Sequence, residues 1–394
     1  MPARKQTSDI PIKKRRALVM CYSAVGSDAR VTSQIRWLES AGYTVDVLSR
    51  GPSHPDATGD RFEIGSLQSR WQLIFAALMP PRIRFNLTVK KFLPTKELEG
   101  RKYDLVVVND HHLLPWVVRA VPELARGPVV LDLHELYANN GTDLVYRFIV
   151  APYDDWLLRF IKSPVFTRHL TVAEGIADIY RDEYGLERPS VIKNVAPFED
   201  LEPSSVDPKN IRLVHHGYAS AERGIDVMLD ASLLLDSRFK LFLMVLGDER
   251  SLAPLKSHPA IASGRAEFRE PVGVTEVAKA LNQYDLELIF FPPRFPNNIH
   301  ALPNKFFEAI QGRLGVIIGE SPEIVPFIEE YKFGTIVHGW TASDLAGALN
   351  KLKVGDINQM KFAAAKAARK LSTIGERELF LSALGIKKGQ ALKF

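Results

Sequence analysis

Short runs rich in Val, Ile and Leu alternate, twice over, with amphipathic stretches of helical period, and this alternation restricts the fold more than any other feature. In the first half ALVMCYS is followed by VTSQIRWLESAG and TVDVLS. Then come DLVVVN, a helix from about His112 to Leu124, PVVLDLH, the long stretch TDLVYRFIVAPYDDWLLRFI, HLTVA, a helix over Glu174–Tyr184, and SVIKN. The second half runs RLVHHG, a helix from Gly224, KLFLMVLG, AEFRE, VTEVAKALNQY, LELIFF, LPNKFFEAIQG, GVIIG and GTIVH. Apolar strands separated by helices of about 10–15 residues imply parallel sheets joined by right-handed crossovers. The expectation is an α/β chain of two Rossmann-like, doubly wound parallel-sheet domains. They are expected to face each other across a cleft at the carboxyl ends of their strands, where ligands bind in such sheets.

The Pro-, Ser- and Asp-rich APFEDLEPSSVDPKN separates the halves and reads as a linker. The expected boundaries are a disordered basic tail over 1–16, a domain over 17–198, the linker at 199–210, a second domain over 211–372 and a last segment, 373–394. At 394 residues the chain exceeds one ordinary core, and 46% hydrophobic with 25% charged residues is a globular composition. A formal charge of +5 and a pI near 9.1 are only mildly basic. That balance argues against a nucleic-acid binder and for an anionic small molecule or an anionic membrane surface. One cysteine, Cys21, excludes an internal disulfide and suits a reducing, cytoplasmic setting. KKRRALVMCYSAVGS has the outline of a signal peptide, but Tyr22 and Ser23 interrupt its apolar run and it is read as a first strand. No run reaches the roughly 18 apolar residues of a membrane span.

Candidate chemistry sits at strand ends. In LPNKFFEAIQGRLGVII, Pro303 suits a first helical position, and Lys305 falls in a first turn where the helix dipole is already positive. An anion held there by Lys305, Asn304 and backbone N–H groups resolves the conflict, and Glu308, one turn on, suits a neighbouring diol. RLVHHGYASAERG places Gly217 in a loop and Arg223 where the next helix begins, a second cation suited to phosphate. Gly247 ends a third strand. On the other half, Gly26 is read as a tight turn and Asp28 as a helix cap. Asn109, Asp110, His111 and His112, with Asp132, His134 and Glu135, read as a polar cluster receiving hydroxyl groups. Metal ligation is disfavoured: adjacent histidines in an extended chain point apart, and neither HExxH, a Cys cluster nor D-x-D occurs. His215 and His216 are read as hydrogen-bonded strand-end residues.

SDARV…LESAGYTVDVLS, YDLVVVNDHHLLPWVVRA, GPVVLDLHELY, TVAEGIADIYRDEYG…VIKN, the RG loop and LPNKFFEAIQGRLGVII together resemble the family 4 glycosyltransferases of the GT-B fold. The resemblance runs in order from about Ala17 to Val337. It implies a C-terminal domain that binds a nucleotide-diphosphate sugar, UDP-linked in preference to GDP-linked, and an N-terminal domain that binds the acceptor, with Gly26, Asp28, Asp110, Glu135 and His300 on the acceptor or sugar-positioning side. Glu308 matches the glutamate that holds ribose hydroxyls, Lys305 and Arg223 the diphosphate neighbourhood, and His134 a histidine close to the transferred sugar. It further implies retention at the anomeric carbon, a metal-independent hexosyl transfer without other cofactor, and a last helix that crosses back to the first domain. The acceptor class it implies is a glycan or a lipid-linked one, as in bacterial cell-envelope glycolipid or polysaccharide synthesis. There are two departures: His300 stands where a second glutamate is frequent, and Tyr218 where an arginine is.

LQSRWQLIFAALMPPRIRFNLTVKKFLP, residues 67–94, mixes Trp, Phe, Ile and Leu with Arg70, Arg82, Arg84, Lys90 and Lys91. It is expected to contact an anionic membrane surface peripherally. The competing classes are a catalytically silent GT-B scaffold and a two-lobed sugar-binding protein.

Overall fold

The computed structural model describes residues 15–51, 57–137, 144–220, 223–293 and 296–386. Among the described residues thirteen strands form two parallel sheets. The first sheet holds β1 (Arg15–Met20), β2 (Tyr43–Arg50), β3 (Arg61–Ile64), β4 (Leu105–Asn109), β5 (Val129–Leu133), β6 (Arg168–Thr171) and β7 (Ser190–Val191), in the order β3-β2-β1-β4-β5-β6-β7. The second holds β8 (Ile211–Tyr218), β9 (Phe239–Leu246), β10 (Ala266–Phe268), β11 (Leu286–Ile289), β12 (Gly315–Gly319) and β13 (Gly334–Val337), in the order β10-β9-β8-β11-β12-β13. Both orders reverse direction at the first strand of the sheet, the switch point of a doubly wound fold. The central strands β4, β5, β11 and β12 are buried at every position, as strands covered on both faces must be.

The strands foreseen from the sequence are present, and β3 is an addition. Four residues of alternating burial give too short a pattern to separate from a loop. Arg15 and Arg16, expected in a disordered tail, open β1, because Arg16 Nη2 is held by Asp46 at 2.6 Å. The rest of that tail lies outside the described residues. No described helix is long and apolar enough to cross a membrane.

The chain forms two compact units: Met1–Leu133 with Phe148–His169 and Leu381–Phe394, and His134–Arg147 with Leu170–Phe380. Residues 170–198, expected in the first domain, and the expected linker 199–210 therefore belong to the second unit. Hydrogen bonds within that unit account for this. Glu323 accepts the backbone N–H groups of Glu174 (3.1 Å) and Gly175 (2.9 Å), Lys193 pairs with Glu376 (2.6 Å), and the Thr373 N–H donates to the Ala196 carbonyl (3.1 Å). The described residues from 381 to 386 belong to the first unit, where Arg168 donates to the Ala383 carbonyl at 2.6 Å.

In the first unit the polar strand ends are bonded inward. The buried Asp132 carboxylate accepts both Nε and Nη2 of Arg30 at 2.8 Å, and Gln34 as well. Arg30 lies in α1 (Ala29–Ser40), which Asp28 caps by accepting the Val31 N–H at 3.1 Å. Asn109 donates to the Met20 carbonyl at 3.2 Å, and His111 Nε2 lies 3.1 Å from Asp154. Asp110 sits at φ 64° with its N–H on the Asp132 carbonyl. The left-handed residue takes the chain out of the strand direction, so the His111 and His112 rings do not point apart but lie 4.3 Å apart. Burial, and then His111, push His112 down to about 4.

Removing one partner of a buried, bidentate ion pair leaves the other charge uncompensated, at a cost of about 3–5 kcal/mol. Asp132→Ala is expected to unfold the first unit at lower denaturant by that order. The double change Arg30→Met with Asp132→Leu is expected to recover most of the loss; equal transitions for the single and double variants would contradict the assignment.

Candidate functional site

Within the second unit a cavity of about 540 Å³ gathers side chains from widely separated segments. His134 and Glu135 follow β5, and Val172, Ile176 and Asn194 come from the segment around β6 and α2 (Glu174–Asp182). His216, Gly217 and Tyr218 end β8, and Arg223 precedes α3 (Ile225–Leu234). Asn298, His300, Asn304, Lys305 and Glu308 lie before and in α4 (Asn304–Gln311). α4 forms because Phe306, Phe307, Ala309 and Ile310 give it a buried face. Pro303 sits one residue before the helix, not at its first position.

Lys305 is turned inward and buried. Its Nζ lies 3.3 Å from His215 Nε2 and 5.0 Å from the Phe291 ring centroid, while the Arg223 guanidinium lies 4.7 Å from the same ring. The two cations thus share one aromatic neighbour at the start of two helices. His215 Nδ1 is 2.8 Å from the Leu288 carbonyl, which leaves Nε2 as the acceptor for Lys305. Burial and then Lys305 hold His215 well below the usual imidazole range, so it stays neutral. Gly217, at φ 115°, is needed twice: its backbone is left-handed, and a Cβ there would lie 3.2 Å from Lys305 Nζ.

A second network fixes Glu308. His216 reaches Glu287 through Nδ1 (3.0 Å) and Glu308 through Nε2 (2.9 Å). Burial opposes charge on His216, but Glu287 and Glu308 outweigh it and raise the ring to about 9. The imidazolium therefore donates to both carboxylates. Glu287 is fully buried, whereas the Glu308 side chain keeps 20% exposure to the cavity. For Lys305, burial dominates, Arg223 adds to it, and Glu287 and Glu308 only partly compensate, lowering the amine to about 7.

His300 Nδ1 lies 2.9 Å from Glu323, the carboxylate that also binds the first N–H groups of α2. A Cβ on Gly175 would come within 2.0 Å of His300, so this approach requires glycine.

The cavity thus gathers His134, Glu135, Gly217, Arg223, His300, Asn304, Lys305 and Glu308 from the residues expected on sequence grounds. Gly26, Asp28, Asn109, Asp110, His111, His112, Asp132 and Gly247 do not line it. Asp28 is occupied as the α1 cap and by Ser23, and Gly26 is exposed with no positive φ and no crowding to demand glycine. Asp110 turns the chain after β4, and Gly247 packs against Ala219 and Leu252. The sequence reading missed His216, Asn194 and Asn298 as site residues. Glu287 was the available signal: a carboxylate inside the apolar strand LELIFF requires a buried cation beside it. Among the described residues, no group of three or more His, Cys, Asp or Glu side chains is placed to hold a metal ion.

The lowered Lys305 has a consequence for stability. Its charge is carried by folded and unfolded chains below about pH 7, where the burial cost is fully present. Between that pH and the unfolded value near 10.4, the unfolded chain binds more protons, so stability rises with pH. Lys305→Met is therefore expected to melt higher than the parent at pH 6, with the gap narrowing by pH 9. A gap that widens with pH would contradict it.

Residues 25–194 match the glycosyl transferase 4-like domain family. No curated protein matches the chain by sequence. Sucrose-phosphate synthase from Thermosynechococcus elongatus aligns at TM-score 0.69 over 94% of this chain and 98% of that one, with 13% identity. WaaG, a glycosyltransferase involved in lipopolysaccharide biosynthesis, gives 0.66 over 95% and 100%, with 14% identity. The E. coli trehalose-6-phosphate structure bound with UDP-2-fluoro glucose gives 0.64 over 95% and 99%, with 11% identity. Residues 25–194 are thus similar to the glycosyl transferase 4-like domain family, and the chain is built on the GT-B fold that these solved glycosyltransferase structures share.

Proposed function

We propose that this glycosyltransferase takes a sugar from a nucleotide-diphosphate sugar and transfers it, with retention and without a metal ion or other cofactor, to a hydroxyl of a glycan or lipid-linked acceptor. The carrying observation is the pairing of Lys305 and Arg223 around Phe291, one helix turn from the Glu308 carboxylate that His216 holds in place. Two cations at helix starts suit a diphosphate, and a fixed carboxylate suits the two hydroxyls of a ribose. UDP is the favoured carrier, in keeping with the UDP-2-fluoro glucose held by the E. coli structure. The acceptor class fits a role in cell-envelope glycolipid or polysaccharide synthesis.

In the proposed step the acceptor oxygen bonds to the anomeric carbon on the face the diphosphate leaves. The bond from that carbon to the phosphate oxygen breaks, its electron pair stays on the diphosphate, and the acceptor proton passes to a phosphate oxygen. Lys305, Arg223 and the start of α4 stabilise the charge that grows on the leaving group, each good donor contributing a few kcal/mol. His134 positions the sugar, and His300, held by Glu323, meets its hydroxyls.

Because Lys305 is only partly protonated near pH 7 in the free protein, an arriving diphosphate raises its affinity for the proton. Donor affinity is therefore expected to fall as pH rises above 7, with proton uptake on binding measurable by calorimetry in two buffers.

A panel of UDP, GDP and ADP in thermal denaturation tests the donor site. A ligand at 100 times its dissociation constant adds about 2.7 kcal/mol of stability. UDP is expected to raise the melting temperature, and Glu308→Ala to weaken UDP about 10- to 100-fold, the worth of hydrogen bonds to a charged group. A folded Glu308→Ala protein with undiminished affinity would remove Glu308 from the ribose site, and silence towards all three nucleotides would remove the donor reading.

A further inference from the structure

The segment preceding β4 carries a surface that the transfer reaction does not use. Residues Arg70–Ala77 form a helix whose Trp71, Ile74, Phe75 and C-cap Leu78 fall at i, i+3, i+4 and i+7, one continuous stripe. On a surface helix of a globular protein such a stripe faces the core. Here it faces outward: Trp71 is 79% exposed, Leu78 65%, Phe75 59% and Ile74 44%, while the buried side of the helix is the small Ala76. Ile83, in the next helix (Pro81–Thr88), adds another exposed apolar side chain. An apolar face of this size, gathered on one helix, marks an interaction site.

Charge indicates what covers it. No carboxylate occurs between Glu63 and Glu97, whereas Arg70, Arg82, Arg84, Lys90, Lys91 and Lys96 fall inside that stretch. Arg84 is tied down, donating to the Ile149 carbonyl at 2.8 Å and lying 4.0 Å from the Tyr153 ring centroid. Arg70, Arg82, Lys90 and Lys91 are exposed around the apolar helix. Apolar side chains with a cationic surround and no acidic residue are the pattern of a helix that lies in the interface of an anionic bilayer. The chain enters the helix from a cavity of about 450 Å³ that mixes polar Ser23, Arg50, Glu63 and Gln68 with apolar Ala24 and Ile64. Polar groups beside an apolar face suit an amphiphile, which favours a lipid surface over a globular partner.

We propose that the first unit docks on an anionic lipid surface through the Trp71–Ile74–Phe75–Leu78 face, with Arg70, Arg82, Lys90 and Lys91 contacting the head groups. The proposal stands on this surface alone and is independent of the donor site.

The test is co-sedimentation of the full chain with phosphatidylcholine vesicles with and without phosphatidylglycerol. The parent partitions onto the anionic vesicles about tenfold or more above the zwitterionic ones, and loses that preference as salt shortens the Debye length from about 10 Å at 0.1 M to about 3 Å at 1 M. Tryptophan emission shifts to the blue on binding, and Trp71→Phe loses the shift. Trp71→Ser with Phe75→Ser and Leu78→Ser lowers partition about tenfold, with an unchanged melting temperature. Should that variant fail to fold, Lys90→Glu with Lys91→Glu lowers the anionic preference alone. Absence of vesicle binding by the parent, or undiminished binding by both variants, overturns the proposal. So does self-association in sedimentation velocity that the triple change abolishes while no vesicle binding is seen, since a second copy then covers the face.

Discussion

A lysine ammonium buried at the start of a helix is the constraint around which the second unit is arranged. Lys305 has the positive end of α4 behind it, Arg223 across the Phe291 ring and a neutral imidazole at its Nζ. Burial and Arg223 raise the cost of its charge; Glu287 and Glu308 offset only part of it, and both already bind His216. The folded protein therefore keeps a cation in a place that burial penalises. Such strain is tolerated where a ligand of opposite charge relieves it, a reason to look for function at this point of the fold. The smaller features follow from the same cluster. Gly217 clears space for the amine, His215 takes the one tautomer that accepts from it, and Glu287 supplies the negative charge that lets His216 stay protonated.

The first unit has the same strand order at its core and spends its charges differently. Asp132 stands at a strand end, as the site residues of the second sheet do, but a bidentate arginine and a glutamine saturate it. Asp28 and Asn109 are likewise satisfied by backbone and side-chain partners within the unit. Polar residues at carboxyl ends of parallel strands are therefore not equivalent: those with saturated partners hold the sheet and its helices together. Those whose partners leave one face open, as Glu308 does, are available to a ligand. The exposed apolar helix at Arg70–Ala77 is the feature of this unit that its own packing does not account for.

Much of this was legible in the sequence because burial on both faces of a parallel sheet writes long apolar runs, and those runs set strand count and order. β3 escaped because four residues with alternating burial carry too little pattern. Lys305, Glu308 and Arg223 were legible because a cation at a helix start contradicts the dipole, and a contradiction within one segment is visible without the fold. His216 was not, since its role depends on Glu287 of a neighbouring strand and Glu308 of a helix 92 residues on. Asp28 was legible as a helix cap, but its further reading, with Gly26, as a ligand-side residue rested on loop position, which cannot distinguish a cap from a binding group.

The sequence by itself determined the parallel α/β plan, the pairing of cations at two helix starts and the basic, carboxylate-free stretch before β4. Periodicity, dipole sign and local charge all act within a few residues, so they survive in a linear reading. Tertiary structure alone decided which strand-end polar groups meet, which are consumed internally, and which way the Trp71 stripe points. Those outcomes depend on distances between segments far apart in the chain, and on the burial that sets whether a charge such as that of Lys305 costs free energy or not.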